Sequence, residues 1–573
     1  MVKEVETMQA NQMETKIMSQ VTLGHYLLDR LSQEGVTEIF GVPGDYNFSL
    51  LDTIEKFENI WFVNGRNELN AGYAADAYAR LKGLSALITT FGVGEMSACN
   101  AVAGANSENV PIVHIVGTPP SMAQQEHKLM HHTLMDGNYD VFRKVYEPLS
   151  AYTAVLTPEN AVFEISKALH IAKEKRKPVY LMVAIDLVTK PIVLPQQQIT
   201  LPSTKTNQTT LQAALDHAKQ LLKQAQKTVL LVDVKTIRFT LEQPVIQLAE
   251  AMNIPVASTL YGKGGFDESH PQFIGVYGGA FGRQTVRTTV ENADCIIAVG
   301  LVWADSNTAN FTAKLNPSQL IQIQPNKVKI GAAEYPQVLA EDMLQALQSI
   351  GYQEQGTVIK GAFPYDQVIG EPEQALTAAS YYPRLQQFLK TGDIVIAETG
   401  TFYYGMTQVK LPQSATFIAQ GGWQSIGYAT PSTYGACIAA PNRRVLLFTG
   451  DGALQLTVQE ISSMLIHGLR PIIFVLNNHG YTIEKYLNVK TENQNYNQVP
   501  NWSYAKLMEV FGGEAFSTTV QNNGELDAAL TRVETESQNK LCLIEMIVQD
   551  PMDAPQYMLN MRNYLEKQEK QRS

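Results

Sequence analysis

Short apolar runs of strand length alternate with helical patterns along almost the whole of this chain. The strand-like runs fall at 37–41, 60–63, 84–89, 111–117 and 179–183, then at 228–234, 255–258, 295–300 and 320–324. A last group falls at 393–397, 415–419, 444–449, 471–476 and 541–547. Most of these runs are apolar throughout rather than alternating, as in strands buried on both faces. Thr22 is placed to cap a helix with Leu23, Leu27, Leu28 and Leu31 on one face and Gly35 at its end. Another helical pattern covers 454–467, and a C-terminal helix is expected from about Asp553 to Glu569. Alternation of this kind predicts α/β domains built on parallel sheets.

Composition interrupts the pattern twice. Pro, Gln, Thr and Ser dominate 194–208, and Gly, Pro and Gln dominate 350–373, so both stretches read as linkers. The expectation is three doubly wound domains at 19–193, 209–349 and 374–573, behind a polar, Met-rich tail at 1–18. A chain of 573 residues is too long for a single core. Charged residues make up 17% and hydrophobic ones 45%, the balance of a folded protein rather than a disordered one.

Net charge is −11 with no basic block, which argues against nucleic acid and anionic membranes as partners. No run of eighteen apolar residues is present, and the tail lacks the apolar core of a signal peptide. The expected location is the cytoplasm. Cys99, Cys295, Cys437 and Cys542 stand far apart and read as reduced, mostly buried thiols.

The chemistry begins where the run at 444–449 ends in Gly450-Asp451-Gly452 and the run at 471–476 ends in Asn477-Asn478. A strand–helix–strand unit of this length brings a carboxylate and an amide to one edge of a parallel sheet, where open α/β sheets bind ligands. Aspartate and asparagine oxygens are hard donors suited to a magnesium ion that keeps phosphate oxygens among its ligands, and the glycines let backbone approach a diphosphate. Gly-Asp-Gly alone is an ordinary turn; the pairing with Asn-Asn is what makes it specific. The middle stretch carries no Gly-x-Gly-x-x-Gly fingerprint and no residue set for a dinucleotide.

These paired blocks resemble the thiamine-diphosphate signature, and from about Val21 onward the chain resembles the 2-oxo-acid decarboxylase family, whose members include pyruvate, indolepyruvate and branched-chain decarboxylases. The resemblance implies three domains of the thiamine-diphosphate-binding type, with thiamine diphosphate and Mg2+ as cofactors and a small-molecule 2-oxo acid as substrate. It also implies a homo-oligomer, a dimer with shared active sites and commonly a dimer of dimers. The metal ligands it implies are Asp451, Asn478 and the carbonyl of Gly480. Around the cofactor it implies Glu68, Thr399, Gln424, Ile426, Gly450, Gly452, Ala453, Tyr481 and Ile483.

Five residues carry the implied catalysis. Glu68 opens a Gly/Ala-rich helix; by itself it is a first-turn acid favoured by the helix dipole, and the family reading sets it on the cofactor's pyrimidine N1′. His131 and His132 lie in a loop-like stretch with no further metal ligand at a helical spacing. The family carries such a pair near the reacting centre, and acetolactate-synthase-type carboligases generally lack it. Asp45, in Pro43-Gly-Asp45, is good turn chemistry and matches the family aspartate that works with those histidines. Glu484 matches the family acid that faces the substrate carboxylate, a role that asks for burial to raise its pKa.

Two departures from the family stand out. Gln424 replaces the usual Gly, which suits the expected backbone contact if its φ stays negative. The stretch after Tyr486 lacks the usual His-Gly-Pro turn. Tyr403, Tyr404, Ile483 and Leu487, with Met558, Met561 and Leu565, are the candidate substrate-pocket residues. Bulk at Tyr403 favours pyruvate or another short aliphatic acid over indolepyruvate, with phenylpyruvate and branched-chain acids as alternatives. Two further readings remain: a carboligase with FAD in the middle domain, and a cofactor-binding subunit without activity.

Overall fold

The computed structural model describes residues 21–197, 199–354, 361–490 and 493–572. The tail at 1–18 and six positions of the second expected linker lie outside the described residues. Two compact units emerge: one with residues up to Ala75, Lys82–Asn106 and Pro111–Pro202, the other with Asp76–Leu81, Ser107–Val110 and the chain from Ser203.

The first unit holds one parallel six-stranded sheet, with strands β1 (Glu38–Gly41), β2 (Trp61–Asn64), β3 (Ser85–Thr90), β4 (Ile112–Thr118), β5 (Thr153–Leu156) and β6 (Val179–Ala184). Their spatial order is β2-β1-β3-β4-β6-β5. Every residue of β3, β4 and β6 is buried, which is why these runs are apolar without alternation. Helix Leu23–Gln33 forms as the leucine spacing predicts: Thr22 Oγ1 accepts the His25 amide at 3.3 Å, and Gly35 turns the chain with φ +85°. The order reverses between β1 and β3, so the crevice at their carboxyl ends is this sheet's natural site.

The second unit holds two sheets. The middle one has seven strands: β7 (Thr228–Val232), β8 (Val256–Thr259), β9 (Phe273–Tyr277), β10 (Cys295–Val299), β11 (Leu320–Gln324), β12 (Lys327–Ile330) and β13 (Ala333–Pro336). They lie in the order β13-β12-β11-β10-β7-β8-β9, and β12 and β13 join as an antiparallel hairpin. At the switch point between β7 and β10, buried Asp233 accepts the amides of Val234 (2.6 Å) and Val302 (2.7 Å) and Asn307 Nδ2 (2.7 Å). A carboxylate with its own donors thus stands at the switch point of this sheet.

The third sheet is all parallel: β14 (Ile394–Ala397), β15 (Thr416–Ile418), β16 (Val445–Gly450), β17 (Ile472–Asn477), β18 (Ala515–Val520) and β19 (Leu541–Ile547), in the order β15-β14-β16-β17-β19-β18. Its switch point lies between β14 and β16.

Several expectations are corrected. The helical pattern at 454–467 is two helices, Asp451–Thr457 and Glu460–Ile466, divided by i→i+3 hydrogen bonds from Ile461 to Val458 and from Ser462 to Gln459. The C-terminal helix runs Gln556–Arg572, starting later than expected. Strands β5, β9, β12, β13 and β18 escaped the apolar pattern. All are edge or next-to-edge strands, and in β5, β12, β13 and β18 part of the strand faces solvent. Gly275 interrupts the pattern of β9.

Candidate active site

In the third sheet, Gly450 ends β16 in register with Leu476 of β17, so the two motif blocks meet at one edge. Asp451 starts the following helix. Its Oδ1 accepts the Gly452 amide at 2.7 Å and its Oδ2 accepts the Gly480 amide at 3.2 Å. Burial pushes its carboxyl up to about 6, against the pull of those hydrogen bonds. Asn478 donates its Nδ2 to Thr482 Oγ1 at 2.8 Å, which leaves the amide oxygen to act as a ligand. Gly480 has φ +152°, and a Cβ there would stand 2.5 Å from the carbonyl oxygen of Asn497. Only glycine suits that position.

These residues surround a cavity at the β14/β16 switch point. Its walls come from Glu398–Phe402 after β14, from Ile426, from Gly450–Ala453, and from Leu476, Asn478 and Gly480–Glu484. A Cβ on Gly400 or Gly450 would meet nothing within 4 Å, so the backbone is bare where a bulky polyanion would lie. One carboxylate, one amide oxygen and glycine-lined backbone form a set that fits a diphosphate carried on a hard divalent cation.

The structure thus gathers Thr399, Ile426, Gly450, Asp451, Gly452, Ala453, Asn478, Gly480, Tyr481, Ile483 and Glu484 around one cavity. It adds Glu398, which the sequence reading passed over. Its Oε1 accepts the Thr399 amide and its Oε2 the Ala429 amide, both at 3.0 Å, and burial pushes it up to about 7. The one available signal was its position beside Thr399 at a strand end.

Six expected pocket residues stand elsewhere. Tyr403, 2% exposed, packs with Tyr404, Leu260 and Tyr557, and it lines a separate small cavity with Arg80, Glu108 and Arg238. On helix Thr401–Met406 it is Phe402 that lines the cofactor cavity, because neighbouring helical residues point about 100° apart. Tyr404 stacks on Tyr557 at 5.2 Å. Leu487 is half exposed and belongs to a cleft with Val489 and Leu565, while Met558 and Met561 are packed in the tyrosine cluster.

Gln424 also departs from expectation. Its φ is +56°, not negative, and it closes a tight turn in which its Nε2 donates to the Gly421 carbonyl at 2.7 Å. Glu484 lies on the solvent-exposed side of the short helix Thr482–Leu487, so the burial asked of it is not supplied within this chain.

The first unit carries the other expected group at its β1/β3 switch point. Asp45 begins a single 3-10 turn after β1. Its Oδ2 stands 2.5 Å from His131 Nε2, and its Oδ1 stands 3.5 Å from His132 Nε2. Tyr46, also passed over, stacks on the His131 ring at 4.9 Å, with its hydroxyl 3.2 Å from His131 Nδ1. Burial, with Asp45 adding to it, raises that phenol to about 12. These contacts supply the third group that the histidine pair lacked in sequence. Glu68 heads helix Glu68–Lys82, where a Cβ on Gly94 would be 3.2 Å from its Oε1.

A glycine-lined cavity over a switch point, edged by Asp-Gly and Asn-x-Gly, defines a thiamine-diphosphate type of site. The sequence matches the thiamine pyrophosphate enzymes three times: the N-terminal TPP binding domain over 21–138, the central domain over 215–350 and the C-terminal TPP binding domain over 398–546. Among its relatives are pyruvate decarboxylase of Kluyveromyces lactis, 38% identical over 94% of this chain and 97% of that protein, and pyruvate decarboxylase isozyme 1 of Saccharomyces cerevisiae, 38% identical over 95% and 98%. An alpha-keto-acid decarboxylase of Mycobacterium leprae is 38% identical over 93% and 94%. The chain belongs to the thiamine-diphosphate-dependent 2-oxo-acid decarboxylase family.

Proposed function

We propose that this chain is a thiamine-diphosphate- and magnesium-dependent decarboxylase that converts pyruvate to acetaldehyde and CO2. The observation that carries the reading is the donor set of Asp451, Asn478 and Gly480 at the edge of a glycine-lined cavity. Asp451, the Asn478 amide oxygen and the Gly480 carbonyl would hold the cation, with Gly450, Gly452 and Ala453 against the diphosphate. Thr399, Ile426, Tyr481 and Ile483 would flank the rings, and Glu68 would address the pyrimidine. When bound, the cofactor supplies an electron sink for the charge left as CO2 departs.

The chain's own residues then handle protons and solvent. Glu484, at the cavity's edge, is the proposed proton donor. The Asp45 carboxylate orients both imidazoles, with Oδ2 on His131 and Oδ1 facing His132, a grouping that would serve aldehyde release. Apolar lining by Phe402, Ile426, Leu476 and Ile483 favours loss of a localised carboxylate charge over its solvation. Phe402 and Ile483 among the lining residues suit a small 2-oxo acid, and pyruvate is the substrate in the names of two of the relatives.

Glu484 is exposed in a single chain, and Val93, Met96, Met122 and Met135 are exposed apolar residues of the first unit. Both features support a homodimer with shared sites, and a dimer of dimers beyond it. The described residues include no helix long and apolar enough to cross a membrane, and the cytoplasm is the proposed location.

The test is aldehyde release from pyruvate, 2-oxoisovalerate, phenylpyruvate and indolepyruvate, with and without thiamine diphosphate and Mg2+. Cofactor-dependent acetaldehyde, fastest from pyruvate, is the expected result. Acetolactate without free aldehyde would replace this reading with the carboligase one.

A further inference from the structure

Glu95 is the one fully buried carboxylate among the described residues of the first unit. Its Oε1 accepts the Gly92 amide at 2.7 Å, its Oε2 accepts the Tyr180 hydroxyl at 2.5 Å, and its main-chain oxygen accepts the Tyr146 hydroxyl at 2.5 Å. As the third residue of helix Val93–Ser107, it reaches back to cap Gly92, a bond that glutamates usually make at the protein surface. Here the cap is sealed under two tyrosines stacked 4.5 Å apart, and burial pushes its carboxyl up to about 7. A cap of ordinary worth does not need a desolvated carboxylate.

What flanks the cap explains the placement. Gly92 has φ +65°, and a Cβ on it would stand 1.9 Å from the carbonyl oxygen of His132. His132 itself has φ +61°, a left-handed conformation that a non-glycine residue keeps only under constraint. Two residues after Gly92, Gly94 backs onto the Glu68 carboxylate: a Cβ on it would stand 3.2 Å from Oε1. One tight turn therefore touches the histidine loop at its first residue and the pyrimidine-addressing glutamate at its third.

We infer that Glu95 is a positioning residue, which locks the Gly92–Gly94 turn and so sets Glu68 and the His131–His132 loop at a fixed separation. The inference rests on the decarboxylase reading for the roles of Glu68 and His132. The lock needs reach and an acceptor oxygen, not charge, because a neutral carboxyl also accepts the Gly92 amide. Reach and charge separate cleanly in two variants. Glu95→Gln keeps the length and an acceptor oxygen, whereas Glu95→Asp keeps the charge but is one methylene too short to span Gly92 and Tyr180 together.

The experiment measures kcat and KM for pyruvate, the dissociation constant of thiamine diphosphate by calorimetry, and the melting temperature for wild type, E95Q and E95D. E95Q should keep kcat within about threefold, while E95D should lose about tenfold to a hundredfold in kcat with KM unchanged, as expected when reacting groups are displaced by less than 1 Å. Cofactor affinity should weaken in E95D alone. E95D with kcat and cofactor affinity within about twofold of wild type, or E95Q falling as far as E95D, overturns the inference. Should E95D not fold, Tyr146→Phe decides, since it frees the Glu95 main chain and spares the carboxyl: a fall in kcat with KM unchanged supports the lock, and unchanged kcat overturns it. A wild-type protein that releases no aldehyde fails the decarboxylase reading instead, and the cofactor-affinity comparison of E95Q with E95D then decides this one.

Discussion

Asp45 Oδ2 and His131 Nε2 stand 2.5 Å apart although 86 positions separate the residues in the chain. The contact joins the turn after β1 to a loop without regular structure, and Tyr46 stacks behind the ring. The carboxylate on one ring nitrogen and the Tyr46 hydroxyl 3.2 Å from the other fix the orientation of the imidazole.

Asp45→Asn keeps the shape of this contact and removes its charge. Steady-state kinetics should show kcat lower by about a hundredfold or more, the usual range for loss of a positioned proton carrier. Melting should be nearly unchanged, because the pair is substantially exposed.

Asp451 is the only carboxylate among the proposed metal ligands. Asp451→Asn removes the charge that offsets a divalent cation, so calorimetry should show thiamine diphosphate and Mg2+ binding weaker by about a hundredfold or more. Dialysis against a chelator should abolish wild-type turnover in the same way, with recovery on adding Mg2+ and cofactor back.

Gln424 occupies a left-handed position with a compensating hydrogen bond to Gly421. Gln424→Gly relieves about 1 kcal/mol of backbone strain and forfeits a hydrogen bond of about the same worth, so denaturant unfolding should change by less than about 0.5 kcal/mol. Gln424→Val loses the bond and adds a branched Cβ at positive φ, which should cost about 2 kcal/mol or more.

His114 sits at 0% exposure against the stacked pair Tyr146 and Tyr180, and burial holds its pKa down to about 3. A histidine depressed in the folded state contributes stability above its unfolded pKa, and that stability is lost as pH falls toward the folded value. Between pH 6.5 and pH 4 the loss should approach about 3 kcal/mol. Glu95 and Glu398, both raised to about 7, act in the opposite direction: their charging cost lowers stability as pH rises from the ordinary carboxylate range to neutrality. Replacing His114 with Gln should therefore flatten only the acid side of the stability profile, read by urea unfolding in a pH series.

The central strands were legible because both their faces are covered. β11 and β19 occupy the predicted residues, and most other interior strands shift by a residue or two. Edge strands such as β18, with Ser517, Thr518 and Thr519 on a half-exposed surface, carry no such signal. On the site, Asp451, Asn478 and Gly480 were legible because one strand–helix–strand unit carries all three. Tyr403 was misread because a helix offers its neighbours to different faces, and the sequence near 401–406 has too few polar positions to mark which face turns inward.

Local order was enough for what depends on local order. Apolar runs, capping residues and turn glycines determined the α/β class, the three sheets and the diphosphate-edge motif, because each depends on neighbours a few residues away. Tertiary structure alone decided the contacts between distant segments: Asp45 with the histidine loop, Glu95 beneath Tyr146 and Tyr180, and Phe402 rather than Tyr403 at the cavity. It also decided which carboxyls titrate near neutrality, since Glu95, Glu398 and Asp451 are ordinary acids in sequence and acquire raised pKa values only when packing strips their water.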